Sequence, residues 1–290
     1  MISATVSKIL NYSCVDGPGN RMVLFLQGCN YRCKNCHNPQ TIDMCNQCGD
    51  CVPNCPTQSL QLTTQNNKPF VVWNMTTCTE CDACLTTCNK QSTPKTQQLT
   101  VTDTLALIRD NLFFINGITV TGGEATLQLP YIIALFKAIK SDPSLQHLSC
   151  MIDSNGSLSI TGWQSVSPYL DGAMIDLKAW NNTTHRWLTG RNNDRVLASI
   201  YWLSQHQKLY EIRLLQIPNV TDYEQYIDDI AGYLATLNND VRIKLNAFQH
   251  HGVTGESLNW TPCSQTDIET LAMQLTERNI TNLILPTVYV

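Results

Sequence analysis

No apolar run in the chain is long enough to cross a membrane: FFINGITV, residues 113–120, is short and interrupted by Asn116 and Gly117. Charged residues are scarce at 14%, with a net charge of −4 and a pI near 5.8. That balance argues against a nucleic-acid-binding surface as the main business of the protein. The opening MISATVSKIL lacks a basic segment followed by a long apolar stretch and a cleavage site, so a cytoplasmic location is expected. Scarce charge beside 43% apolar residues also excludes a wholly disordered chain. A length of 290 residues suffices for one large domain with a substantial core, or for one domain plus a small insert.

What is abundant is cysteine. There are fourteen, and eleven of them fall in three tight groups within the first third of the chain. A disulfide framework belongs to small secreted domains, which this is not. Thiolates at that density in a reducing compartment bind metal.

Short β-rich apolar runs alternate with amphipathic stretches from about residue 100 onward. Strands are predicted at 117–121, 148–154, 172–177, 209–216 and 241–248, with an earlier one, RMVLFLQ, at 21–27. LPYIIALFKAIK and YEQYIDDIAGYLATL carry apolar residues at helical spacing. Repeated strand–helix units imply a parallel α/β sheet with helices outside, either open or barrel-like. Residues 43–91 break the rhythm: they are rich in Cys, Asn, Gln and Thr, and their apolar runs, SLQL and PFVVW, are short. This segment is expected to be an insert whose order comes from bound metal, dividing a main unit of residues 1–42 and 92–290.

Cys29, Cys33 and Cys36 form C-x3-C-x2-C on the loop after RMVLFLQ. Three thiolates there can each hold one iron of a cubane, leaving the fourth iron open to a ligand. A zinc site completed by His37 or a remote residue is the alternative, although zinc favours paired C-x2-C spacings. Cys45, Cys48, Cys51 and Cys55 follow C-x2-C-x2-C-x3-C with Pro56 behind, and Cys78, Cys81, Cys84 and Cys88 repeat it with Asn89 in the proline's place. This is the bacterial two-cluster ferredoxin run, in which each fourth cysteine serves the other cluster. It predicts one [4Fe–4S] cluster on Cys45, Cys48, Cys51 and Cys88 and another on Cys78, Cys81, Cys84 and Cys55. A pair of zinc ribbons is the alternative.

With these cysteines and their flanks, NYSCVDGPGNRMVLFLQGCNYRCKNCHNPQT, the chain resembles the radical S-adenosylmethionine superfamily. Through DGPG, GC and CHNP, and the later TGGEAT, DSNG and DLK, it resembles the glycyl radical enzyme activases within it. The insert and short length are most similar to the YjjW group. The resemblance implies a partial (β/α)6 barrel with a ferredoxin-like 2[4Fe–4S] insert, three [4Fe–4S] clusters and S-adenosylmethionine. It implies reductive cleavage of that cofactor to methionine and a 5′-deoxyadenosyl radical, which takes a hydrogen from a glycine Cα of a partner glycyl radical enzyme. Flavodoxin or ferredoxin would donate the electron, relayed through the insert.

For individual residues, the resemblance places Asn35, Cys36 and His37 on the backbone stretch that meets the adenine, and Gly122, Gly123 and Glu124 at the methionyl amino group. The double glycine by itself would let the backbone approach a ligand and expose amides. Asp176 and Lys178 lie two apart on a predicted strand and so face one side, either as a surface ion pair or at a zwitterionic ligand. The resemblance favours the ligand, and adds a monovalent cation near Asp153 and Asp176. It brings Arg213 into the active site, where a core-rim or solvated arginine is the alternative, and a histidine onto the cofactor, His251 in preference to His250. Asp16 would meet the substrate backbone. Cys14, Cys150 and Cys263 read as small buried residues. Two rival functions stand beside the activase: a radical enzyme acting on a small molecule or another peptide, and an iron–sulfur electron carrier.

Overall fold

A computed structural model describes residues 2–287. The strands are β1 (Ser3–Ser13), β2 (Arg21–Leu26), β3 (Leu60–Gln65), β4 (Lys68–Trp73), β5 (Gln97–Thr100), β6 (Gly117–Gly122), β7 (Ser149–Ser154), β8 (Gly172–Leu177), β9 (Leu209–Gln216), β10 (Arg242–Ala247) and β11 (Leu283–Ile284). The helices are α1 (Ala83–Thr87), α2 (Val101–Asp110), α3 (Leu129–Ser141), α4 (Ile160–Val166), α5 (Asn182–Thr189), α6 (Asp194–Gln205), α7 (Ile227–Leu234) and α8 (Gln265–Thr276). None is long and apolar enough to cross a membrane among the described residues.

Nine strands form one open sheet in the order β11-β10-β9-β8-β7-β6-β2-β1-β5. From β2 to β11 every neighbour is parallel, while β1 runs antiparallel to both β2 and β5. The six predicted strands appear within a residue of their expected ends. They are legible because parallel strands covered on both sides write near-continuous apolar runs; β8, GAMIDL, has five of six residues buried. YEQYIDDIAGYLATL is only half helical: Tyr223 is drawn wholly into the core, its hydroxyl donating to the Leu177 carbonyl, so α7 begins at Ile227.

Residues 43–91 leave and return at one point. Ser92 Oγ donates to the Asp43 carbonyl at 2.7 Å, and the Thr93 amide to the Gln40 carbonyl at 3.2 Å. Between these ends, the two short apolar runs pair as the antiparallel hairpin β3–β4. It buries Leu60 and Val71 against Cys51 and Cys84, a core separate from that of the large sheet.

Candidate active site

The cysteine loop leaves the C-terminal end of β2 and is held by backbone bonds on two sides. The Gly28 and Cys29 amides donate to Thr41 and Ile42, and the Arg32 and Lys34 amides to the carbonyls of Thr189 and Leu188 at the end of α5. Cys29, Cys33 and Cys36 thereby face one cavity of about 280 Å³, also lined by Asp16, Asn35, His37, Gly122, Gly123, Asp153, Asp176 and Lys178. Every one of those residues beyond Asp16 sits at or just past the C-terminal end of a parallel strand, where sheets of this kind build their sites.

Burial pushes the thiols up, Cys29 to about 11 and Cys33 to about 12, so an electropositive metal would be needed to hold them as thiolates. Among the described residues no three of His, Cys, Asp and Glu converge on a point as a single ion requires. The three thiols instead line one open cavity together with the polar side chains named above. Asn35 is 2% exposed and its Oδ1 is buried without a partner, an unused acceptor at the wall. These residues fit a three-cysteine cubane with a polar cofactor beside it.

Asp176 and Lys178 do face one side, 2.7 Å apart. Burial pushes Asp176 up, but Lys178 and Arg213 outweigh it and hold the carboxyl below its usual range; Lys178 is raised in turn, Asp176 and Cys33 overcoming its burial. Arg213 takes neither the rim nor the solvated alternative. It stands behind the cavity wall, pairing with Asp153 at 2.8 Å and Glu211 at 2.8 Å, and does not line the cavity. Burial leaves Asp153 raised despite Arg213.

Three expectations change. The Gly123 and Glu124 amides are not exposed: they donate to the Leu26 and Gly28 carbonyls at 3.0 and 2.8 Å. The glycines are required by chain packing, since a Cβ on Gly122 would lie 2.1 Å from the Leu26 oxygen, and one on Gly123 2.4 Å from that of Gly28. Second, the Glu124 side chain is turned away from the cavity. It accepts from Thr126 N and Oγ1, Ser154 Oγ and the Asn155 amide at 2.5–3.0 Å, clamping the ends of β6 and β7 together. Third, neither His250 nor His251 lines the cavity; both are exposed. His251 presents its carbonyl, which accepts from His37 Nδ1 at 2.6 Å, so that nitrogen carries the proton. Burial lowers the His37 pKa, which keeps the ring neutral. The approach needs Gly252, where a Cβ would lie 2.3 Å from the His37 oxygen. Of the unassigned cysteines, Cys150 and Cys263 are buried as expected, but Cys14 is exposed.

Sequence reasoning missed Phe25, Tyr31, Thr121, Ser154 and Asn155, which also line the cavity. Ser154 and Asn155 lie inside DSNG, so the motif held the signal; Tyr31, 2% exposed, has none beyond its place between two cysteines. Tyr31 also borders a second cavity of about 590 Å³, which carries Arg186, Arg191 and Arg195.

In the insert, Cys55, Cys78, Cys81 and Cys84 line one small cavity, the expected crossed set. Cys45 has Cys48 and Cys88 as electrostatic neighbours. Although burial acts against it, hydrogen bonds from Leu60, Thr57 and Ser59 hold the Cys55 thiol below its ordinary range, which favours the ligating thiolate.

A sheet with this connectivity and three cysteines at its first loop defines an α/β iron–sulfur scaffold. Residues 23–231 match the Radical SAM superfamily, and the chain belongs to it. It is similar to the pyruvate formate-lyase-activating enzyme of Streptococcus mutans, with 27% identity over 253 residues, 87% of this chain and 80% of that one. The choline trimethylamine-lyase activating enzyme of Oleidesulfovibrio alaskensis is 28% identical over 246 residues, 80% and 78% of the two chains. QueE from Escherichia coli shares the fold, with a TM-score of 0.54 over 99% of this chain and 96% of that one at 14% identity.

Proposed function

We propose that the chain is a glycyl radical enzyme activase of the cytoplasm. The observation that carries this reading is that Cys29, Cys33 and Cys36 share one cavity with the Asp176–Lys178 pair, Asp153 and the Gly122–Gly123 turn. When bound, the three-cysteine cluster and S-adenosylmethionine supply a reductive cleavage to methionine and a 5′-deoxyadenosyl radical that removes a hydrogen atom from a partner glycine. Lys178 would meet the cofactor's carboxylate or ribose oxygens, held in place by Asp176. Asn35 and the His37 backbone would border the adenine, and Tyr31 and Phe25 would keep water from the reacting end. The similarity to two activating enzymes supports a glycyl radical enzyme as the partner. Its target loop would enter over the open mouth beside the arginine-lined cavity.

In this reading residues 1–42 and 92–290 form a partial (β/α)6 barrel, and residues 43–91 a ferredoxin-like unit with two [4Fe–4S] clusters on the crossed cysteine sets. The insert would relay electrons from a flavodoxin or ferredoxin. Support comes from a groove lined by both Cys33 and Cys36 and, from the insert's stem, Asp43, Lys90 and Gln91. A monovalent cation would use the second carboxylate oxygens of Asp153 and Asp176, since Arg213 and Lys178 each pair through Oδ2.

The test is anaerobic reconstitution, dithionite reduction and addition of S-adenosylmethionine. Expected are 5′-deoxyadenosine, its loss in Cys33→Ala with the insert's iron retained, and a glycyl radical EPR signal with one member of a panel of glycyl radical enzymes. Iron without cleavage would reassign the chain as an electron carrier; turnover of a metabolite with no protein partner would reassign it as a small-molecule radical enzyme.

A further inference from the structure

The cavity formed by Cys55, Cys78, Cys81 and Cys84 has on its wall, beside the hydroxyls of Thr57, Ser59 and Thr79, the side chains of Trp73, Asp82 and Lys95. Lys95 comes from beyond the insert, on the segment leading to β5, and stands close to Cys84 and Cys78. Its Nζ lies 2.6 Å from the Asp82 carboxylate, yet the pair is lopsided: the lysine side chain is 17% exposed and the aspartate 56%. The positive end therefore sits within the wall and the negative end in water, where it is screened. Trp73 Nε1 is buried and has no hydrogen-bond partner. An indole N–H is a donor only, and buried donors are rarely left unused. The acceptor this cavity would receive is a cluster sulfur.

The other cysteine set is differently surrounded. The cation beside Cys45 is Lys90, which is exposed, and the hydrogen bond to the Cys45 sulfur comes from a backbone amide, that of Gln47 at 3.4 Å. Hydrogen bonds to the sulfurs, local charge and solvent exposure set the potential of such clusters. Adding one electron makes a cluster more negative by one charge and breaks no bond, so a half-buried cation and an unpartnered N–H on the cavity wall stabilise the reduced form more than the oxidised one.

We propose that Lys95 and Trp73 hold the Cys55–Cys78–Cys81–Cys84 cluster at a higher reduction potential than the Cys45–Cys48–Cys51–Cys88 cluster, making it the site in the insert where an incoming electron rests. The inference depends on the insert holding two cubanes. It also gives the pair an order. Asp43 and Lys90, each two residues from a cysteine of the lower-potential set, share a groove with Cys33 and Cys36, so that set faces the catalytic loop.

The test is a dithionite titration of the reconstituted full chain followed by EPR, comparing midpoints in wild type, Lys95→Met, Trp73→Phe and Asp82→Asn. Lys95→Met should move one midpoint negative by a tenfold change in the reduction equilibrium, about 59 mV for one electron. Trp73→Phe should move the same midpoint negative by less, and Asp82→Asn should move it positive. Asp82 has a left-handed backbone, φ 57°, which asparagine accepts, and the substitution leaves Lys95 and every cysteine in place. Its midpoint therefore decides the matter even where Lys95→Met takes up less iron. Full iron with unmoved midpoints overturns the proposal alone. A wild-type chain lacking the two insert clusters overturns the reading of the insert together with it.

Discussion

In the large sheet, Trp163, Tyr131, Phe136 and Phe248 are buried among leucines, isoleucines and valines, a continuous core running from β1 to α8. In the insert the buried set is Leu60, Val71, Cys51 and Cys84. Half of that core is thiol, and one of its members, Cys51, is pushed up to about 11 by burial. The first region is held by hydrocarbon removed from water, which needs nothing from outside the chain. The second buries few apolar side chains, so on the reading proposed above its folding free energy would come from metal–thiolate bonds. On that reading one polypeptide contains a unit that folds on its own side chains and a unit that would fold on its iron.

The sharpest way to break that comparison is to remove the iron. After anaerobic chelation, amide exchange measured by mass spectrometry should show β3, β4 and α1 losing protection while β7 and β8 keep theirs. A protected hairpin in the iron-free chain would show that the insert has a sufficient core after all. The converse experiment attacks the large sheet. Leu245 is fully buried on β10, and Leu245→Ala should cost about 2–5 kcal/mol in denaturant unfolding while leaving the insert's iron content unchanged.

Two further substitutions probe the cavity at the strand ends of the large sheet. Lys178→Met leaves the half-buried Asp176 carboxylate, 27% exposed, without its nearest cation. Breaking such a pair costs about 3–5 kcal/mol when fully desolvated, and somewhat less here because the lysine is 19% exposed. Cofactor affinity by equilibrium dialysis should fall with it; unchanged affinity would remove Lys178 from the site. Glu124→Gln replaces one acceptor oxygen facing Thr126, Ser154 and Asn155 by a donor, at a cost of about 1–3 kcal/mol. It should weaken cofactor binding while the cluster iron stays, because Glu124 positions Ser154 and Asn155 rather than touching the cavity itself.

The smallest expected effect is on pH dependence. The Ser144 hydroxyl and amide and the Arg109 guanidinium hold Asp142 down at about 2, from an ordinary 3.8. Its contribution to stability is therefore complete above about 3.8 and lost as the pH falls toward 2. Asp142→Asn should flatten the melting temperature of the chain against pH across that window relative to wild type. An identical acid limb would mean these bonds do not survive in solution.

Much of the main unit was legible beforehand, and for a physical reason. Parallel strands between layers of helices are apolar nearly throughout, as β2 and β8 are, while β10, RIKLNA, shows itself by strict alternation. β1 does not: of its eleven residues only Ala4 and Val6 are buried, while Lys8, Asn11 and Tyr12 are exposed. The β3–β4 hairpin was hidden for a related reason. Five of the six residues of β3 are exposed, and the partners of Leu60 are cysteines, which hydrophobic patterning does not count as a core.

At the site, spacing alone named the three thiols that share the cavity, because the reach between residues a few positions apart on one loop is a local property. It also placed Asp176 and Lys178 on one side, since strand alternation is local too. What no local rule could supply was where Glu124 and His251 point, or that the double glycine exists to let two strand ends touch. Those depend on which carbonyls and hydroxyls the neighbouring strands bring within 3 Å. The partnering of Arg213 with Asp153, sixty residues apart, and of Lys95 with the insert's cysteines is likewise set by how β7 packs against its neighbours and how the insert returns to the sheet. Sequence carried the ligands and the period of the strands. Only the packing of distant segments decided which side chains meet the cavity and which stand behind it, because contact at that range is a property of the closed fold.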